Sequence, residues 1–307
     1  MCFTQNFWQL TVSGLALGSI YALIALGYTL VYGVLQLINF AHSEVFMLGG
    51  FGGLFLVRAL PHHNPHGVSS VLLVICGMVG GALAGGAVAF TLERVAYRPL
   101  RKRGAPKLAF LISAIGASLL LVNLAGKEFG RVNNILPELY TSGPVFHVFG
   151  AAVTTDQLVI ASAALVMLIA LDRLIAKTRL GQGIRAVAQD AQAASLMGVD
   201  IDKTITRTFI IGGVMGGVAG FLFGIKFGVQ NNMGFAAGTK AFTAAVLGGI
   251  GNVRGAVLGG LVLGVAENLG VSCIQSAWRD VIAFGILVLI LMFRPTGILG
   301  ERLGRSA

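Results

Sequence analysis

No Lys, Arg, Asp or Glu occurs before Glu44, and the apolar run from Phe7 to Leu37 exceeds the roughly 20 residues that cross a bilayer. Such a run demands an apolar environment on every side. With 56% hydrophobic and 11% charged residues overall, the chain belongs to the membrane class, and the expected fold is an all-α polytopic membrane protein. The start has neither a basic n-region nor a small-residue cleavage site, so it reads as a retained span rather than a signal peptide.

Apolar segments run at about 7–35, 36–57, 68–92, 108–126, 157–176, 208–229, 236–253, 255–272 and 281–293. The net charge of +10 comes from basic residues gathered in a few loops. One loop holds Arg94, Arg98, Arg101, Lys102, Arg103 and Lys107; another holds Arg173, Lys177, Arg179, Arg185, Lys203 and Arg207. The tail adds Arg294, Arg302 and Arg305, whereas 127–155 has two basic residues against Glu128 and Glu138. This asymmetry sets orientation: the basic loops and the tail are cytoplasmic and 127–155 faces outward. No basic stripe interleaved with aromatics occurs, so nucleic acid is not a partner and membrane lipid is. Cys2, Cys76 and Cys273 have neither a metal spacing nor a disulfide framework.

An internal repeat organises the spans. Gly81-Ala82-x-x-Gly85-Gly86-x-Val88 followed by Glu93 recurs with identical spacing as Gly255-Ala256-x-x-Gly259-Gly260-x-Val262 followed by Glu267. Upstream, Phe40-Ala41 leading to Leu48-Gly49-Gly50 echoes Phe235-Ala236 leading to Leu247-Gly248-Gly249, with four residues more in the second copy. Glu44 to Arg58 and Lys240 to Arg254 each enclose 13 uncharged residues, too few for a straight crossing. They are either re-entrant loops or crossings with unwound ends. Parity favours crossings, because otherwise the basic tail falls outside. The expectation is eight or nine transmembrane helices in an inverted repeat with interrupted helices, the N-terminus outside and the C-terminus inside. One permease domain spans 1–307: a first repeat at about 7–126, a linker span and cytoplasmic loop at about 155–207, and a second repeat at about 208–294. Inverted repeats with broken helices put a transport path near the midplane. Gly77, Gly81 and Gly85, like Gly212, Gly216 and Gly220, permit close helix contact whatever the function.

Ionisable groups at membrane depth are functional candidates because burying them is costly. Asn39, His42, Glu44, Lys240 and Glu267 are therefore candidates for the translocation path. Asn39, His42 and Glu44 could contact substrate or could satisfy backbone groups freed at a helix break. Glu267 either lies on the path, sits near the outer interface, or pairs with Lys240. In the loop 179–207, Val187, Ala191 and Ala194 fall on one helical face, and Gly198 suits the left-handed residue that ends the helix. A small-sided face of that kind seats in a partner's groove. Other patterns fail. Gly181-x-Gly183-x-x-Ala186 has no βαβ unit around it, and His62, His63 and His66 form a solvated loop with Pro61 and Pro65. There is no P-loop, nucleophile elbow or His-Glu-x-x-His, so the chain is not expected to be an enzyme, to bind ATP, or to hold a metal or other cofactor.

The stretch Gly14 to Phe51, GLALGSIYALIALGYTLVYGVLQLINFAHSEVFMLGGF, with KAFTAAVLGGIGNVRGAVLGGLVLGVAE at Lys240 to Glu267 and the closing Pro295 to Gly300, resembles the branched-chain amino acid ABC transporter permease family. The likeness is to the shorter, H-type permease. It implies an importer with a second permease subunit, two cytoplasmic ATP-binding subunits that hydrolyse the ATP, and a periplasmic solute-binding protein, all at the bacterial inner membrane. In this family a permease loop bearing Glu-Ala-Ala-x-x-x-Gly docks on the ATPase, and Gln192, Ala193, Ala194 and Gly198 match it with Gln in place of Glu. Related permeases carry urea, but a path of Gly, Ala, Val and Phe fits an apolar side chain better. The rival outside the family is a secondary transporter, which usually needs a coupling-ion site such as paired midplane carboxylates.

Overall fold

The protein, seen as a computed structural model, is described at residues 7–60, 67–141, 143–273, 275–294 and 296–300. Cys2, His62, His63, His66, Pro295, Arg302 and Arg305 lie outside the described residues.

Helices dominate. α1 (Phe7–Leu35), α2 (His42–Ala59) and α3 (Val68–Leu92) are followed by a π-helical turn at Glu93–Tyr97 and a short α4 (Arg98–Lys102). Then come α5 (Lys107–Glu128), a hairpin of β1 (Pro144–Val148) and β2 (Ala151–Thr154), and α6 (Thr155–Lys177). Beyond them lie α7 (Arg179–Gln189), α8 (Ala191–Leu196), α9 (Ile201–Phe227), α10 (Met233–Gly248), α11 (Val253–Cys273) and α12 (Arg279–Phe293). Among the described residues six helices are long and apolar enough to cross a membrane: α1, α3 with its extension to Lys102, α5, α6, α9 and α11. The chain is a multi-pass membrane protein.

α1 and α9 form the enclosed centre, consistent with helices that are apolar all round. Lipid is as apolar as a leucine side chain, so burial of apolar area does not hold these helices together; close backbone contact does. Gly14 and Gly18 of α1 lie against Gly260 and Gly264 of α11, where a Cβ on Gly14 would stand 2.7 Å from the Val265 Cα. In the same way Gly213 and Gly217 of α9 lie against Gly81 and Gly85 of α3. The two Gly-rich patterns of the sequence thus pack alike, α11 on α1 and α3 on α9. α5 and α6 sit at the periphery with exposed Leu119, Leu120, Leu165 and Val166.

Two ends are distinguishable. At the basic end Arg98 and Arg101 reach Asp202 of α9 at 3.3 and 2.7 Å, joining both basic loops. At the opposite end Asn134 forms an antiparallel bridge with Val229, and Arg58 donates to the Ile135 carbonyl at 3.2 Å. The hairpin 144–154 belongs to this end too, since Gln9 at the start of α1 bonds Ala152 in both directions.

The breaks differ from the sequence expectation. The window Glu44–Arg58 lies within one continuous helix, whereas Lys240–Arg254 spans the end of α10, the connection 249–252 and the start of α11. Irregular backbone also precedes α2 and α10, at 36–41 and 228–232. Charge spacing missed these segments because Glu44 and Lys240 are held inside the protein and mark no membrane edge. α9 also begins earlier than its apolar stretch, because Asp200 accepts from the Lys203 N–H at 3.0 Å and caps a helix that starts outside the apolar layer.

Candidate translocation core and coupling loop

Where α1 crosses α9, Gly212 faces Gly27 so closely that a Cβ would stand 3.3 Å from the Gly27 carbonyl oxygen. α2 begins beside this crossing. His42, its first residue, fills the room left by Gly27 and Gly216 and meets Tyr28 edge-on, with ring centroids 4.9 Å apart. Gly27 lies well inside α1, so residues 36–41 carry the chain back from the helix end into the interior. Buried irregular backbone there needs partners: the Ser43 hydroxyl donates to the Phe40 carbonyl at 2.7 Å.

Asn39, His42, Ser43 and Glu44 at this junction are all buried. Tyr97 donates to the Asn39 side-chain oxygen at 2.6 Å, which ties the junction to the turn after α3. Glu44 is fully buried; its Oε1 accepts from Ser43 and from Ser118 of α5, both at 3.1 Å. Its Oε2 has no hydrogen-bond partner and points at Gly234, in the first turn of α10. Nε2 of His42 is likewise unpartnered. A carboxylate there lies in the first turn of one helix and against the first turn of another, where both helix dipoles favour negative charge. Two helix N-termini and two unpartnered polar groups therefore converge in the core. Gly238 of α10 contacts Ser43 and the Tyr28 hydroxyl, completing the junction.

Lys240 and Glu267 form a separate cluster. Nζ of Lys240 lies 2.8 Å from Glu267 Oε1 and 2.8 Å from Asp280 Oδ1, and Arg279 Nε lies 3.3 Å from Glu267 Oε1. Of the openings left by sequence, the ion pair is the one observed. A lone buried charge would cost several kcal/mol, so pairing is what permits Glu267 at zero exposure. Tyr21 of α1 faces the same carboxylate.

A third cluster had no assigned role in the sequence. Glu93, fully buried in the π-helical turn, accepts from Arg101 at 3.0 Å and from the Thr206 hydroxyl at 2.9 Å, and Arg101 continues to Asp202. The signal for it was the repeat, in which Glu93 is the counterpart of Glu267. Among the described residues no group of His, Cys, Asp and Glu could hold a metal ion.

The loop at the basic end is two helices, not one. Thr178 caps α7 by accepting from the Gly181 N–H, and Asp190 breaks the helix with extended backbone. Its carboxylate then caps α8, accepting from Gln192 and Ala193 N–H at 2.8 and 3.0 Å. Gly198, at φ +85°, ends the unit as expected. Across the Asp190 break Val187, Ala191 and Ala194 stay on one side: Val187 and Ala194 are buried in a cluster with Ile184, Ile205 and Phe209, Ala191 packs against it, and that shared side faces the body. Gln192, Ala193 and Ser195 are exposed, as are Leu196 and Met197 at 88% and 85%. Two bare apolar side chains on a polar, doubly capped loop are what the sequence pattern missed. Just beyond, the Lys203 backbone N–H and then its ammonium hold the exposed Asp200 carboxyl below its ordinary range.

These features define a helical membrane bundle with a polar junction in its core. A family model described as the branched-chain amino acid transport system permease component matches residues 10–291, and the chain belongs to that family. It is 44% identical over 299 residues to the high-affinity branched-chain amino acid transport system permease protein LivH of Escherichia coli K12 and to that of Salmonella typhimurium, covering 96% of both chains in each case. To BraD of Pseudomonas aeruginosa, of the same description, it is 42% identical over 301 residues, again 96% of each chain. No solved structure matches.

Proposed function

We propose that this chain is the H-type permease subunit of an ATP-driven importer of branched-chain amino acids in the inner membrane. It works with a second permease subunit, two ATP-binding subunits and a solute-binding protein. The observation that carries the coupling is α8, which presents exposed Leu196 and Met197 from a loop fastened at Thr178 and Asp190. Gln192, Ala193 and Gly198 contribute its exposed rim and its end, and Ala194 anchors it from beneath. Shape and apolar contact, not the missing Glu charge, seat it on the ATPase. The printed names of the relatives favour a branched-chain amino acid over urea.

The whole chain acts as one permease domain of nine crossings in an inverted repeat, with repeats at about 7–126 and 208–294. Support comes from the reciprocal glycine seams and from the helix directions, which alternate between the two ends through α1, α2, α3, α5, α6, α9, α10, α11 and α12. The basic end is cytoplasmic. The path passes the junction of Asn39, His42 and Glu44, where helix ends and unpartnered polar atoms meet away from either membrane surface. Lys240 and Glu267 border it as an ion pair.

The test is leucine uptake by proteoliposomes holding the complete complex. Uptake is expected to require ATP and to vanish when the ATP-binding subunits are hydrolysis-deficient. Undiminished uptake with those subunits overturns the importer reading.

A further inference from the structure

Glu93 and Glu267 occupy equivalent places in the repeat, each 12 residues beyond the first Gly of its motif, at 81 and 255. Both are fully buried, and each organises a cluster of the same make-up. Among the described residues, two cations and two carboxylates meet at each: Arg98 and Arg101 with Glu93 and Asp202, and Lys240 and Arg279 with Glu267 and Asp280. Each buried glutamate also meets a hydroxyl on the first helix of the opposite repeat, Thr206 of α9 for Glu93 and Tyr21 of α1 for Glu267.

Their positions are reciprocal. α1 and α9 cross at Gly27 and Gly212. Tyr21 and Thr206 each stand six residues before that crossing, about 9 Å along helices that run in opposite directions. One cluster therefore lies on each side of the crossing, and the junction of His42, Ser43 and Glu44 lies between them. The inner cluster binds the start of α9 to the end of α3; the outer one binds α10 to α11 and to the start of α12. Separating those helices at one end breaks one cluster and leaves the other whole.

We infer that Glu93 and Glu267 are positioning residues of two reciprocal ion-pair gates, the first closing the basic end of the path and the second the opposite end. Lys240 and Glu267 then hold a gate shut and are not ligands of the solute. This rests on the path proposed above. Because an ion pair biases an equilibrium between two helix arrangements, weakening one cluster shifts population toward the state open on that side.

The test places a cysteine at buried Ser43, between the clusters, in a chain whose Cys2, Cys76 and Cys273 are serine. The complete complex in sealed vesicles is treated with a charged, membrane-impermeant thiol reagent from one face at a time. Glu267→Gln is expected to raise labelling from the outer face by about fivefold or more without raising it from the basic face, and Glu93→Gln to do the reverse. Should either buried variant fail to assemble, Asp280→Asn and Asp202→Asn, on partly exposed members of the clusters, are expected to give smaller shifts in the same directions. Labelling that is unchanged, or raised equally from both faces, in the assembled variants overturns the gates. ATP dependence of leucine uptake, measured on the unmodified complex, reports on the importer reading separately: loss of side-specific labelling with uptake still ATP-driven removes the gates alone.

Discussion

The glycine seams of the core and the loop of α7 and α8 solve opposite problems. In the seams of α1 with α11 and α3 with α9, side chains are absent so that backbones touch, and position follows from shape alone. In the loop, side chains do the fixing: Thr178 and Asp190 satisfy the free N–H groups at two helix starts, and Ile184, Val187 and Ala194 hold the unit against the body. The lesson is that the core tolerates no added volume, while the outer face of α8 tolerates any change that does not matter to a partner.

Four variants test that contrast on stability, in decreasing order of effect. Lys240→Met leaves Glu267 buried with Arg279 alone and is expected to cost about 3–5 kcal/mol, read as a lower melting temperature of the solubilised protein. Gly217→Val forces a side chain into the backbone of α3 at Gly81 and should cost about 1–3 kcal/mol by the same measurement; an unchanged melting temperature would show that the seam yields. Asp190→Ala removes the cap of α8 and is expected to cost about 1 kcal/mol locally, seen as faster proteolysis between Gln189 and Gly198. The double change Leu196→Asp with Met197→Asp should alter stability by no more than about 0.5 kcal/mol yet abolish copurification of the ATP-binding subunits. If it leaves copurification intact, α8 is a plain surface helix and the contrast with the core loses its functional half.

Much of the fold was legible because apolar length, loop charge and glycine spacing carry direct physical meaning in a bilayer. The Gly-rich patterns starting at Gly81 and Gly255 mark α3 and α11, which pack closely on α9 and α1. Charge spacing misled where a charge was neutralised internally: Lys240 looked like an edge and lies in the middle of α10, bound to Glu267 and Asp280. In the loop, periodicity grouped Val187, Ala191 and Ala194 on one side, and the structure turns that side toward the body.

By itself the sequence determined that this chain crosses a membrane several times, which loops are basic, and that a Gly-rich pattern with a trailing Glu occurs twice with identical spacing. Those properties depend on residue type and on distances along the chain. Only the tertiary structure decided that Glu93 shares a cluster with Asp202 and Thr206, that Glu44 faces the start of α10, and that Leu196 and Met197 face outward. Such contacts join residues as much as 190 positions apart, as between Glu44 and Gly234, and are set by how backbones meet at the glycine seams, which no local pattern encodes.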